Sequence, residues 1–317
     1  MQTRIIISQI IILAIVVLIG ALAAKFRVLT RESKDMLSKV IFNISLPLML
    51  FTNFLKLASD PRLVSNSAIV VSIAACVIFF MLLVGYLTTR VVKMTGSEAA
   101  VFKAHSMFGN IIFLGFPLIS SLFGEEGLLY GSMFQLVSNI IMWTVGVIVL
   151  SHDKGTPWQK SLAKIFNPNT IATLLGLLFF LVSIKVPYVI VKPLTELGAA
   201  NTWLSMLYIG AMLVFSNVRG LIGKKIIYFL SFNRLILVPV ILISLFALTA
   251  ALTGLAPEKM VSSVIILEAS MPCMASVVIM SKELGADDQL AVANVFISTI
   301  VSVVTLPLVL IAINRFL

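Results

Sequence analysis

Charge is scarce in this chain: Asp, Glu, Lys and Arg make up 11% of its 317 residues, and only 13 residues are acidic. Histidine and cysteine each occur twice. Cys76 and Cys273 both lie inside apolar runs, where two buried thiols are expected, and so exclude a disulfide framework. There is no Cys/His cluster, no Walker loop and no zinc motif. Those absences argue against an ATP-driven pump, a resident metal or cofactor, and an enzyme. The net charge of +10 is spread over short loops rather than gathered on one face. That pattern speaks against a nucleic-acid partner.

What the chain has in excess is hydrocarbon, with 60% hydrophobic residues and a mean hydropathy of +1.12. A span needs about 20 apolar residues, and Gly, Pro and charge punctuation divides the chain into ten. They run approximately 5–24, 40–57, 64–89, 98–123, 126–151, 168–184, 199–217, 226–253, 258–282 and 288–313. Ala21-Leu22-Ala23 looks like a signal-peptidase site, but the apolar run from Ile5 to Gly20 is long for one, so the first span is expected to be retained. Of the 23 Lys and Arg, 15 fall on one side of this topology, 7 on the other and Arg234 within a span. The positive-inside rule then puts both termini outside a cell (inner) membrane.

The one sizeable connection, residues 152–167, is expected to be a basic cytoplasmic linker lying along the membrane surface. It divides the chain into residues 1–151 and 168–317, each with five spans. An odd number per half inverts the second half relative to the first. The fold class is therefore all-α and polytopic, with ten transmembrane helices in two inverted five-helix repeats. The fourth span breaks between Asn110 and Pro117, and the ninth between Glu268 and Pro272. Paired interruptions at corresponding places mark the binding site of a secondary transporter.

The chemistry of such breaks follows from their unpaired backbone groups. Proline at the first position of a helix loses little, because that N–H has no partner anyway. Pro117 and Pro272 are thus expected to start two half-helices whose amide ends face each other near the midplane. Together these would hold an anion with no basic side chain. The complementary carbonyl ends, around Phe108–Asn110 and Glu268–Ser270, suit a cation or a proton carrier. Pro47, Pro239 and Pro307 are read as plain kinks.

The same residues resemble the auxin efflux carrier family, which includes the plant PIN-FORMED carriers and bacterial malate permeases. The likeness rests on "FGNIIFLGFP" at Phe108–Pro117, "ASMPCMASVVIMSKELGAD" at Ala269–Asp287, "STIVSVVTLP" at Ser298–Pro307, "RLILVP" at Arg234–Pro239 and "NISLPLMLF" at Asn43–Phe51. It implies a fold like that of bile-acid symporters, with crossing broken helices 4 and 9. It also implies a scaffold of spans 1, 2, 6 and 7, often dimeric, and a transport domain of spans 3–5 and 8–10. Transport would be of an organic carboxylate by an elevator-like motion, with Asn110, Pro117 and Pro272 at the substrate. The short central loop matches compact bacterial members. Two departures are Thr202-Trp203, where relatives carry a proline early in the seventh span, and Glu268, where they carry an apolar or small residue.

Polar residues within the spans complete the expected site. A carboxylate near the bilayer centre is costly and functional by default, so Glu268 is assigned to proton coupling. The alternative is a fixed ion pair with His105, Lys103 or Arg234. His105 is a second coupling residue, since imidazole changes charge near neutral pH; a neutral ring bonded to a carbonyl is the competing reading. Arg234 is expected to snorkel to the inner surface, and Lys103 to anchor the inner edge. Gly115, Cys273 and Ser276 join the substrate site beside the two prolines. Gln135 and Asn139 in the fifth span, with Asn294, Ser298 and Thr299 in the tenth, line it or simply bond helix to helix. Asn43 is assigned to the scaffold.

The function expected is secondary carriage of a small organic anion, malate-like, driven by a proton or sodium gradient, in a bilayer protein of this architecture that is expected to be a homodimer through its scaffold helices. An exporter of auxin-like aromatic acids and a non-transporting carboxylate receptor are the alternatives. A channel would need a continuous polar lining, whereas the polar residues here cluster at mid-depth.

Overall fold

The computed structural model describes residues 2–57, 60–151, 162, 165–216, 220–254 and 256–317. Most of the expected linker, with Lys154, Lys160 and Lys164, lies outside these residues, as does Arg219. The described chain is helical throughout, apart from one isolated β-bridge. Its helices are α1 (Gln2–Lys25), α2 (Arg31–Val40), α3 (Leu46–Lys56), α4 (Pro61–Val91), α5 (Gly96–Met107), α6 (Phe116–Ile141) and α7 (Val147–Ser151). They continue as α8 (Pro168–Val182), α9 (Tyr188–Phe215), α10 (Lys225–Phe232), α11 (Val238–Thr253), α12 (Lys259–Ala269), α13 (Ala275–Leu284) and α14 (Asp288–Phe316).

Among the described residues, six segments are long and apolar enough to cross a membrane: Arg31–Lys56, Pro61–Val91, Ile111–Ser151, Tyr188–Phe215, Lys225–Thr253 and Asp288–Phe316. The 41-residue Ile111–Ser151 segment is interrupted at Gly124, with φ 64° and ψ −147°. Ile11–Lys25 and Pro168–Val182 are shorter apolar helices. The chain is an integral membrane protein. α5, α12 and α13 are too short to cross alone, because α5 and α12 stop at an interruption and α13 starts from one.

Among the described residues, four π-helical turns are built into the long segments: Ile41–Ser45, Ile111–Gly115, Met142–Gly146 and Asn233–Leu237. Three of them end two residues before a proline, Pro47, Pro117 and Pro239. A proline has no N–H to give, and its ring presses on the carbonyl four residues back. The wider turn, bonded five residues apart as in Leu46 N–H to Ile41 O and Val238 N–H to Asn233 O, makes room for the ring. The helix therefore passes through each proline.

The seventh span starts earlier than its composition predicts. α9 begins at Tyr188, not at residue 199, and carries Pro193 in its second turn. Lys185, Lys192 and Glu196 make this stretch read as a loop. In the helix, however, Lys192 and Glu196 pair across one turn at 2.6 Å.

The chain divides into two compact units. The first comprises residues 1–70, 112–136 and 166–215; the second comprises 71–111, 137–165 and 216–317. Within the first, α1 packs on α9, and α3 on α8 and α9. Phe51 meets Phe179 edge-on at 5.4 Å, and Ser45 Oγ donates to Asn201 Oδ1 at 3.1 Å. The Gly124 turn is tied down by Asn53, which donates to Glu125 O at 3.0 Å, and by an Arg62–Glu126 ion pair at 3.0 Å.

The α1–α9 contact is set by glycine. A Cβ on Gly210 would run into Val17 O, and one on Gly20 into Leu207 O. Small residues allow this backbone approach, on which helix association in lipid depends. Gly210→Leu is expected to push α1 from α9 and lower the thermal midpoint of the purified protein by about 5 °C, from an overpacking cost of about 1–3 kcal/mol. An unchanged midpoint would mean the contact contributes nothing.

Candidate functional site

The site is built where two interrupted spans meet inside the second unit. α5 ends at Met107, and Phe108 takes an extended conformation (φ −108°, ψ 120°). α12 ends at Ala269, because Pro272 cannot continue it and the residue before a proline is steered away from the helical region. The two extended links run antiparallel, pairing Gly109 with Cys273. Asn110 N–H donates to Pro272 O at 2.7 Å, and Met274 N–H to Phe108 O at 3.2 Å. New helical turns then open at once, from Ile111 on one chain segment and from Ala275 on the other. Two carbonyl ends and two amide ends thus surround a single bridge.

This geometry corrects the expected break positions. Pro117 does not begin a half-helix: the π turn at Ile111–Gly115 precedes it, and both Gly115 and Pro117 fall in the first unit. Pro272 does not begin one either. It sits in the extended link, three residues before α13, where its missing N–H costs nothing and its carbonyl takes the Asn110 bond. The breaks themselves are Phe108–Asn110 and Ser270–Met274.

A larger correction concerns Arg234. It does not snorkel to the surface: it is 1% exposed, among the largest fully buried side chains. Its Nη1 donates to His105 O at 2.9 Å and Ser106 O at 2.7 Å, and its Nε donates to Met271 O. The guanidinium therefore binds the last turn of α5 and the link after α12 simultaneously. Two neighbours aim it there. Pro239 imposes the π turn that contains it, and Asn233 is bonded to Thr88 of α4 at 2.7 Å. The Nη2 edge lies against Gly109, where a Cβ would collide with it. The expectation of a site with no basic side chain is thus overturned. The carbonyl ends did call for a cation, and the chain supplies its own.

His105 is fully buried in the last turn of α5. Its Nε2 lies 3.3 Å from Met274 O, and its Nδ1 lies 3.2 Å from Asn294 Nδ2. A carbonyl can only accept, so Nε2 carries a proton; an amide N–H₂ can only donate, so Nδ1 is bare. These partners fit the neutral ring. Asn294, 1% exposed on α14, reaches the crossing in this way, and its Oδ1 has no partner among the described residues.

Glu268 is 1% exposed in the last turn of α12. Among the described residues, neither of its carboxyl oxygens has a hydrogen-bond partner. The fixed ion pair with His105, Lys103 or Arg234 is therefore not formed. A carboxyl with no fixed partner can exchange a proton without breaking a bond.

The remaining expected residues divide. Cys273 is fully buried, and its N–H donates to Ser298 Oγ at 3.0 Å, so the tenth span does reach the crossing. Ser276, part-exposed, lies in the first turn of α13, where the helix has no side-chain cap. Asn139 is engaged elsewhere: it donates to Ile165 O at 3.0 Å and accepts from Trp143 Nε1 at 3.1 Å. Thr299 bonds back to Val295 O, and Asn43 to Lys39 O. Cys76 is exposed on α4, contrary to the expectation of two buried thiols, because it faces away from the packed side of that helix.

The contrast between the thiols gives a test. In a Cys76→Ser background, maleimide is expected to label Cys273 slowly, and a saturating carboxylate substrate to slow it further, as read by intact mass. Equal rates with and without substrate would remove Cys273 from the site.

Gly109 and Arg234 are the residues that sequence reasoning missed. The signal available for Gly109 was its place directly before Asn110 at the end of a helical run. For Arg234 it was a charge within a span, two residues after Ser231-Phe232 and five before Pro239.

Known proteins set this geometry in context. A family model described as membrane transport protein matches residues 5–310. An uncharacterized transporter of Methanocaldococcus jannaschii is 25% identical over 305 residues, 94% of this chain and 96% of that protein. One from Methanothermobacter thermautotrophicus is 26% identical over 295 residues, 93% of this chain and 94% of that one. The uncharacterized transporter YfdV of Escherichia coli is 23% identical over 308 residues, 93% of each. With crossed, interrupted helices and a match along nearly its whole length, the chain belongs to the membrane transport protein family, that of the auxin efflux carriers.

Proposed function

We propose that the protein is a secondary carrier of a small organic anion, a malate-like dicarboxylate, with its substrate site at the crossing. The observation that carries this reading is the meeting of two helix amide ends with a buried guanidinium around the Gly109–Cys273 bridge. Arg234 takes up the carbonyls of His105, Ser106 and Met271, and the amide starts at Ile111 and Ala275 favour negative charge. Asn110, Asn294, Ser276 and Cys273 surround the carboxylate in this reading. Glu268 carries the coupling proton.

The same proposal covers the architecture. Ten spans form two inverted five-helix repeats, residues 1–151 and 168–317, with both termini outside the inner membrane. Spans 1, 2, 6 and 7 form a dimeric scaffold, and spans 3–5 and 8–10 carry the substrate by elevator-type alternating access. Support comes from α1, α2, α3, α8 and α9 belonging to one compact unit and α10–α14 to the other, while residues 112–136 of the fourth and fifth spans group with the first.

The test is counterflow in proteoliposomes. Vesicles preloaded with unlabelled L-malate are expected to take up labelled malate saturably, faster than unloaded ones. Indole-3-acetate and monocarboxylates serve as competing arms. No uptake of any carboxylate, or uptake that fails to saturate, would overturn the proposal.

A further inference from the structure

We infer that Arg234 is a built-in cation standing where a carrier of this geometry would bind a sodium ion, so that the protein works without sodium. The ends of interrupted helices leave carbonyls that need positive charge, and in secondary transporters such ends characteristically take Na⁺ or a proton-bearing group. Here the carbonyls of His105, Ser106 and Met271, from segments far apart in the chain, converge on one guanidinium. Three of its five donors are spent on them. Its Nη2 edge closes the space over Gly109, and the side chain is 1% exposed.

The occupant is also fixed. The Asn233–Thr88 bond and the π turn before Pro239 hold the residue from behind. A tethered guanidinium stays beside the carbonyls, whereas a mobile ion satisfies them only when bound. Coupling then falls to the one ionisable group at the crossing that has no hydrogen-bond partner among the described residues, Glu268. The inference goes beyond the anion reading, and its stability measurements need no substrate, so the two fail separately.

The experiment compares purified protein in sodium, potassium and N-methylglucamine chloride at equal ionic strength. The wild type is expected to show one thermal midpoint in all three, and malate uptake that survives complete replacement of sodium. Arg234→Ala is expected to melt lower in N-methylglucamine and to recover by about 3 °C with sodium or guanidinium at about tenfold their Kd. A wild type that requires sodium for stability or uptake would overturn the inference. So would a folded Arg234→Ala that responds to neither cation. Should that variant fail to fold, Arg234→Lys decides: an ammonium in the cage predicts a lower midpoint that is still indifferent to sodium, and a sodium-raised midpoint would contradict the inference.

Discussion

Gly109→Ala is expected to cut transport by about 10- to 100-fold and lower the thermal midpoint by about 5–10 °C. The added methyl would land on the Arg234 guanidinium and 3.0 Å from Met271 Cβ. Neither neighbour can yield. The guanidinium is held by three carbonyls, and Met271 lies in the link whose next residues pair with Phe108–Asn110. Overpacking costs about 1–3 kcal/mol, and each displaced charge-assisted hydrogen bond about 1.5–3 kcal/mol more. Gly220→Ala is the control, since a Cβ there meets nothing within 4 Å. Proteoliposome uptake and thermal melting check both variants; a Gly109→Ala protein indistinguishable from the control would mean the two links do not touch as described.

Glu268→Gln is expected to keep ligand binding, while uptake of malate loses its dependence on an inward proton gradient. The substitution preserves shape and removes the exchangeable proton. The sign follows from symport. If Glu268 must be protonated on the entry side and deprotonated on the exit side, acidifying the entry side accelerates wild-type uptake, and the glutamine variant shows a flat profile. Because the carboxyl oxygens have no hydrogen-bond partner among the described residues, no hydrogen bond is broken by the exchange, and the midpoint is expected to stay near that of the wild type. A retained pH response would take coupling away from Glu268; His105, whose imidazole also lies at the crossing, would then be the next residue to test.

Much of this site was legible in the sequence, and what was missed has physical causes. Two interruptions in apolar runs can be read from Pro, Gly and Asn alone, and both fall within a few residues of where the helices stop. Their edges were misjudged because proline was taken as a helix start. A π turn lets a helix run through Pro117, and Pro272 fits an extended link equally well. A cation was expected at carbonyls around Phe108–Asn110 and Glu268–Ser270; the guanidinium instead meets those of His105, Ser106 and Met271. Arg234 lies 124 residues after Asn110 in sequence and reaches the crossing from a π turn whose Asn233 is bonded to Thr88 of α4, a tertiary link that no local pattern announces. The polar stripe of the fifth span misled for a similar reason. Asn139 has the composition of a site residue, yet its amide is used by Trp143 and Ile165. Asn294 and Ser298, read with the same reasoning, do reach the crossing, because α14 packs against α5 and α13.

The most direct measurement is a single-particle structure of the carrier in nanodiscs with L-malate bound. The account predicts helices interrupted at Phe108–Asn110 and Ser270–Met274, the guanidinium seated on its three carbonyls, and a carboxylate oxygen within about 3 Å of the amides that open α13 or of Asn294. Unbroken helices through those residues, or malate bound away from the crossing, would contradict it.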